Sequence, residues 1–157
     1  MNKTSTPSSP ILLKAANYCA YQERCHNEVK NKLADWGVYG LEADQIIIQL
    51  IELNYLNEER FAVTFAGGKF RVKQWGRLKI KRELKVRGVS DYCIQMAFKE
   101  IDAEEYFETL KTLAHKKLIS LKDAHPLVNK RKVYHYLATK GFEADLIQDA
   151  IRFNTQS

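Results

Sequence analysis

Three glycines set the frame of this chain. Gly37, Gly88 and Gly141 lie 51 and 53 residues apart, each in the same company. Eight residues before each glycine stands Val29, Ile80 or Val133, and four before stands Leu33, Leu84 or Leu137. These two positions are about one helical turn apart and share a face. One residue after each glycine stands Val38, Val89 or Phe142. The glycine is placed to end a helix, where a left-handed backbone is wanted, and the apolar residue behind it folds back onto the last turn. Twelve residues before each glycine, Cys25, Gly76 and Asn129 stand where N-caps belong. Asn129 is a good cap, Gly76 an acceptable one and Cys25 a poor one. A repeat of this length implies tandem units, each too small for a large core, that share one with their neighbours.

Further helices surround this frame. A longer amphipathic segment precedes each cap position. Leu12–Arg24 is expected to bury Leu12, Ala16, Cys19 and Ala20, and Glu58–Lys73 to bury Phe61, Phe65 and Val72. Ala103–Ser120 is expected to bury Phe107, Leu110, Leu113 and Ala114. Another helix follows each glycine. Ser90 can cap one that carries Ile94, Ala97 and Phe98, and the matching positions after Gly141 are Ile147, Ala150 and Ile151. After Gly37 the register slips by roughly three residues, with Val38–Leu41 as a longer loop and Ile46, Ile47, Leu50 and Ile51 as the apolar face. Gly67-Gly68 inside a helix costs about 1 kcal/mol per glycine relative to Ala. That cost suggests either a bend or, as expected here, a closely packed neighbour. No stretch alternates usefully at period two, and no Asn-Gly or Asp-Gly hairpin turn occurs. The fold class is therefore all-α: three tandem three-helix repeats forming an elongated, curved array. The divisions fall at a disordered lead-in, residues 1–10, and repeats over 11–56, 57–101 and 102–157.

Composition removes several function classes. The longest apolar runs are Ile46–Ile48 and Leu50-Ile51, far short of the ~20 residues a membrane span needs. The opening MNKTSTPSSP has no apolar core and is no secretory signal. Cys19, Cys25 and Cys93 form no C-x-x-C pair, which points to free thiols in a reducing cytosol. His26, His115, His125 and His135 show no metal-binding spacing. No phosphate-binding glycine loop or nucleophile elbow is present. The acids of Asp102-Ala103-Glu104-Glu105 suit a helix start without any active site. No enzymatic activity, metal or cofactor is expected.

The charge is concentrated in Lys69–Arg87. Lys69, Arg71, Lys73, Arg77, Lys79, Lys81, Arg82, Lys85 and Arg87 face a single acid, Glu83, within a chain whose net charge is +6. The excess of eight in this stretch means that the remainder is negative. Arg77, Lys81 and Lys85 recur at helical spacing beside the Ile80/Leu84 face, and Glu83 can pair with Arg87. A solvated helix face usually mixes both signs, so this one points to an anionic partner. Phe70 and Trp75 among the cations can stack on bases or anchor a protein interface, although Trp75 is equally placed for the core. A second cluster, Lys130-Arg131-Lys132, occupies the matching position of the third repeat. Units stacked alike would carry both clusters on one side.

Specific motifs accompany this pattern. Leu53-Asn54-Tyr55-Leu56-Asn57-Glu58-Glu59-Arg60-Phe61-Ala62 resembles the G-[YL]-[LI]-[DN]-[DE]-x-[RK]-[FY]-A signature of the RecX family of bacterial RecA regulators. Gly76–Val89 resembles that family's G-x-x-[RK]-I-x-x-E-L-x-x-[RK]-G-[VI] element, and Lys130–Phe142 its closing repeat. The likeness spans about residues 11–152. It departs at Asn54, where the family usually has Gly, at Cys25, where it often has Ser, and near Gly40. The resemblance implies a cytoplasmic, non-enzymatic modulator of DNA repair and recombination. Such a protein binds in the groove of the RecA–DNA filament, touching RecA and the DNA within or beside it. It restrains filament growth, ATP hydrolysis and strand exchange. A monomer with no membrane association is expected. The residues of the two basic clusters are the expected contacts, to RecA acids, to DNA phosphates or to both. Two alternatives stay open: a helical module that binds DNA without RecA, and an adaptor that docks only on acidic proteins.

Overall fold

The structure, a computed structural model, describes residues 9–122 and 125–156. Among these are nine helices: α1 (Pro10–Tyr21), α2 (His26–Asp35), α3 (Gly40–Glu52), α4 (Glu58–Arg71), α5 (Arg77–Val86), α6 (Asp91–Lys99), α7 (Ala103–Ser120), α8 (Pro126–Thr139) and α9 (Ala144–Thr155). They follow one another as tandem three-helix repeats in an all-α fold. The chain divides into two compact units, Met1–Thr64 with Leu84–Met96, and Phe65–Glu83 with Ala97–Ser157. Residues of the middle repeat thus belong to both.

The glycine frame appears three times in the same geometry. Gly37, Gly88 and Gly141 have φ of +80°, +78° and +98°. The N–H of Val38, Val89 and Phe142 donates to the carbonyl of Leu33, Leu84 and Leu137 at 2.8, 3.1 and 3.2 Å. Each glycine N–H donates to the carbonyl of Ala34, Lys85 or Ala138, at 2.9, 3.0 and 3.0 Å. The paired bonds satisfy carbonyls that a helix end leaves open. Leu33, Leu84 and Leu137 are each 0% exposed, and Val29, Ile80 and Val133 are buried beside them.

The helix starts are less uniform. Cys25 does cap α2, and the Glu28 carboxylate compensates for the weak thiol by accepting the Cys25 N–H at 3.3 Å. α5 follows Gly76 directly. Asn129 does not cap α8: that helix begins at Pro126, which suits a first helical position because its missing N–H is not needed there. The lead-in expectation is also shortened. Ser9 Oγ accepts the Leu12 N–H at 3.1 Å and caps α1, with Pro10 in the first turn. The remainder of that lead-in, residues 1–8, lies outside the described residues.

The expected register slip after Gly37 is absent. α3 begins at Gly40, and Ala43 and Ile46 are buried with Ile47 packed against them, at the same offsets as in the other repeats. Ile51 is 44% exposed. Alanine holds the place that Ile94 and Ile147 hold elsewhere, and it carried too little apolar signal beside three isoleucines. The same cause shifts other faces. Ala15 is buried where Ala20 was expected, and Ala62, Ala66 and Phe70 follow Phe61 into the core while Val72 is 78% exposed beyond the end of α4. In α7, Tyr106 is buried and Phe107 only half-buried. α4 runs through Gly67-Gly68 without interruption, with Gly67 buried and Gly68 exposed. A side chain on Gly67 would meet only the Arg71 guanidinium of its own helix, and one on Gly68 would meet open space.

Asn54 stands at a backbone position that favours glycine. Its φ is +65°, a left-handed backbone that asparagine tolerates better than other side-chain-bearing residues. Arg60 clamps this turn from α4. It donates to Asn54 Oδ1 and Asn54 O at 3.2 Å each and to Tyr55 O at 3.3 Å, and it pairs with Glu23. Asn57 Oδ1 accepts the Arg60 N–H at 2.8 Å and starts the helix. Asn54→Gly should therefore change stability by less than about 1 kcal/mol, whereas Asn54→Ala should cost about 1–2 kcal/mol. Chemical denaturation of the two variants checks this, and equal losses would remove the backbone explanation.

Candidate functional site

The unit formed by Phe65–Glu83 and Ala97–Ser157 carries most of the basic stretch. Its scaffold is a meeting of two helix ends. The N–H groups of Gly76 and Leu78, at the start of α5, donate to the carbonyls of Lys140 and Gly141 at 2.8 and 2.9 Å. Unpaired donors of one helix start thus satisfy the open carbonyls of another helix end. The positive end of one macrodipole faces the negative end of the other. A side chain on Gly76 would overlap the Gly141 carbonyl, and one on Gly141 would overlap the backbone of Lys79. Glycine at both positions permits the approach.

Beneath this junction lies Tyr106. Its ring stacks on Phe70 at 5.5 Å and packs against Phe142 at 5.3 Å. Its hydroxyl donates to the Glu143 carboxylate and accepts the Arg77 N–H, the latter at 3.0 Å. The Arg77 guanidinium lies 3.7 Å from the Tyr106 ring centroid and 2.7 Å from Glu143 Oε2. Burial, then the bond to Glu143, pushes the Tyr106 hydroxyl far above the usual tyrosine range. Phe70 is therefore core and cannot stack on a base. Arg77 is committed inward, with a side chain only 24% exposed, and does not share an outward face with Lys81.

The outward cations gather around Trp75, which is half-buried. The Lys69 and Lys79 ammonium groups lie 5.0 and 4.5 Å from its ring centroid. Lys140 comes close to Lys79, and its ammonium donates to the Lys73 carbonyl at 3.4 Å. Burial, then repulsion from Lys79, holds Lys140 below the ordinary lysine range. Arg71, Lys73, Lys81 and Arg82 are exposed. Lys85 and Arg87 belong to the other unit. There the Lys85 ammonium pairs with Asp91 at 2.7 Å, both largely exposed, and the Arg87 carbonyl accepts from Asn27 Nδ2 at 3.1 Å. Such an exposed pair contributes little.

The second cluster, Lys130, Arg131 and Lys132, is exposed on α8. Arg131 and Lys132 border a cleft of about 780 Å³. Lys130 and Arg131 border a smaller one of about 510 Å³ that also meets α9. Sequence reasoning missed Lys117, Tyr136 and Lys140. Lys117 and Lys140 lie 4.8 and 5.7 Å from the Tyr136 ring centroid. The four-residue spacing of Lys132, Tyr136 and Lys140 was the available signal.

Among the described residues, no three His, Cys, Asp or Glu side chains are placed to hold a metal ion, and no helix is long and apolar enough to cross a membrane. Cys19, Cys25 and Cys93 are free and buried. Burial raises the Cys19 thiol to about 11.

Comparison with known proteins agrees with this architecture. Residues 57–97 match the RecX second three-helix domain, and residues 104–151 match the RecX third three-helix domain. The regulatory protein RecX of Lactobacillus johnsonii is 33% identical over 144 residues, which are 92% of this chain and 53% of the relative. That of Leuconostoc mesenteroides is 29% identical over 134 residues, 85% of this chain and 50% of the relative. The chain thus spans about half the length of these curated relatives. The crystal structure of RecX from Lactobacillus salivarius superposes with a TM-score of 0.85 at 26% identity, covering 93% of this chain and 95% of that one. A second crystal structure, of a regulatory protein RecX, shares the fold with a TM-score of 0.77 at 22% identity, covering 88% and 71%. Three-helix domains in the family's order, reinforced by the glycine-ended helices and the α5 junction, establish that the chain belongs to the RecX family of regulatory proteins.

Proposed function

We propose that this chain is a non-enzymatic regulator that docks a basic surface on the RecA–DNA filament and restrains RecA activity. The observation that carries the reading is the crowding of Lys69 and Lys79 about Trp75 with Lys140 close to Lys79, and Arg71, Lys73, Lys81 and Arg82 exposed in the same unit. Like charges held this close raise the local potential, and an anionic partner relieves it. The depressed proton affinity of Lys140 is one expression of that crowding, second to burial. A filament offers both DNA phosphates and protein carboxylates.

The test uses Lys81→Glu with Arg82→Glu, because neither side chain has a carboxylate partner among the described residues. Co-sedimentation with RecA filaments should weaken at least about tenfold, and inhibition of RecA ATPase should be relieved in step. Helicity and melting should stay at wild-type values. If the double variant folds and still sediments and inhibits at wild-type concentrations, this surface has no part in the regulation. The alternative, a DNA-binding module acting without RecA, requires tight binding to naked DNA. Its log-log salt slope should shrink by about one unit per lost phosphate contact.

A further inference from the structure

A cleft of about 780 Å³ opens beside α7 and α8, and neither Trp75 nor the lysines near it line the cleft. Leu121, Val128 and Tyr136 form its apolar lining, and Lys117 and Arg131 supply cations beside it. Lys117 lies 4.8 Å from the Tyr136 ring centroid, so one cation is fixed at the edge of the apolar surface. We infer that this cleft binds an acidic protein segment that inserts an apolar side chain between flanking carboxylates.

Two features select a protein segment over a nucleic-acid duplex. A phosphate track needs cations but gains nothing from a concave apolar lining, whereas an aliphatic or aromatic anchor gains by leaving water there. Cations that surround such a lining complement carboxylates on both sides of the anchor and repel basic segments. The volume accommodates one or two large side chains, the scale on which interface anchors operate. No residue of α5 lines the site.

The experiment uses the full chain and three fluorescent probes. One is a capped glutamate peptide with a central Leu-Phe pair, the second is an all-glutamate peptide of the same length, and the third is a single-stranded oligonucleotide of equal charge. The Leu-Phe peptide should bind at least about tenfold more tightly than the all-glutamate peptide. Val128→Asp should abolish that preference. Arg131→Glu, at an exposed position, should weaken both peptides about tenfold without altering the melting curve. The Lys81→Glu, Arg82→Glu variant should bind the Leu-Phe peptide as wild type does, so failure of the filament proposal would leave this one standing. Equal binding of the two peptides, or binding of neither, overturns the inference. Competition by the oligonucleotide that Arg131→Glu removes and Val128→Asp does not also overturns it, and makes the cleft a phosphate site.

Discussion

Leu84→Ala is expected to lower the free energy of unfolding by about 2–5 kcal/mol, the range for deleting a fully buried leucine side chain. Leu84 is 0% exposed, and its carbonyl accepts the Val89 N–H that closes the end of α5. Truncation removes the apolar contact on which that folded-back turn rests and leaves a void that close-packed neighbours fill only partly. Against a total of about 5–15 kcal/mol for a typical native protein, the loss is large. Val86→Ala, two residues along the same helix, is the control. Its side chain is 79% exposed, and the change should stay within about 0.5 kcal/mol. Leu33→Ala and Leu137→Ala occupy equivalent places and should fall in the same range as Leu84→Ala. Urea melts of the four variants decide the matter: if Leu84→Ala and Val86→Ala have the same midpoint, the equivalence of the three frames has no energetic content.

The success of the glycine frame and the failures around it have different physical origins. A helix that ends in a left-handed glycine followed by an apolar residue is specified within a few positions, so three copies were legible together. Core faces built from alanine were not. Ala15, Ala43, Ala62 and Ala66 are all buried, yet each contributes a weak apolar signal beside larger residues that turn outward, such as Ile51 and Val72. The α8 start was misplaced because asparagine is a strong cap in isolation, and nothing local says that His125-Pro126 takes the role instead. Asn54 was legible only as a departure from the family, and its +65° backbone supplies the reason.

The basic surface was legible as composition and illegible as geometry. A run of cations shows that some must face outward, but which ones depends on partners far along the chain. Arg77 turns inward because Glu143 returns to it from 66 residues away, with Tyr106 between the two segments in sequence. Lys85 meets Asp91 across the glycine turn, which a reading of α5 alone omits. Lys140 joins Lys79 for the opposite reason. The docking of the α8 end on the α5 start carries it there, beside Lys79.

That docking yields the second large effect. Gly76→Ala is expected to cost about 3 kcal/mol or more, although Gly76 has an ordinary backbone and alanine is the better residue for a helix. The added methyl would overlap the Gly141 carbonyl and the Phe142 nitrogen. These are backbone atoms, so no side-chain rotation relieves the clash. Separating the segments would stretch the Gly76–Lys140 and Leu78–Gly141 hydrogen bonds of 2.8 and 2.9 Å and leave donors and acceptors at two helix ends unpaired. It would also pull Arg77 from Tyr106 and Glu143, whose bonds start at the same helix terminus. Gly68→Ala is the opposite case. Its methyl would enter open space in the last turn of α4, and stability should rise by about 0.5–1 kcal/mol from helix propensity. Gly141→Ala should resemble Gly76→Ala, since its methyl meets the Lys79 backbone and its φ is +98°. Thermal melts of the three variants provide the comparison. A Gly76→Ala protein that melts with Gly68→Ala would mean that the two helix ends do not meet in solution. The position of Lys140 beside Lys79, on which the basic surface depends, would then have no support.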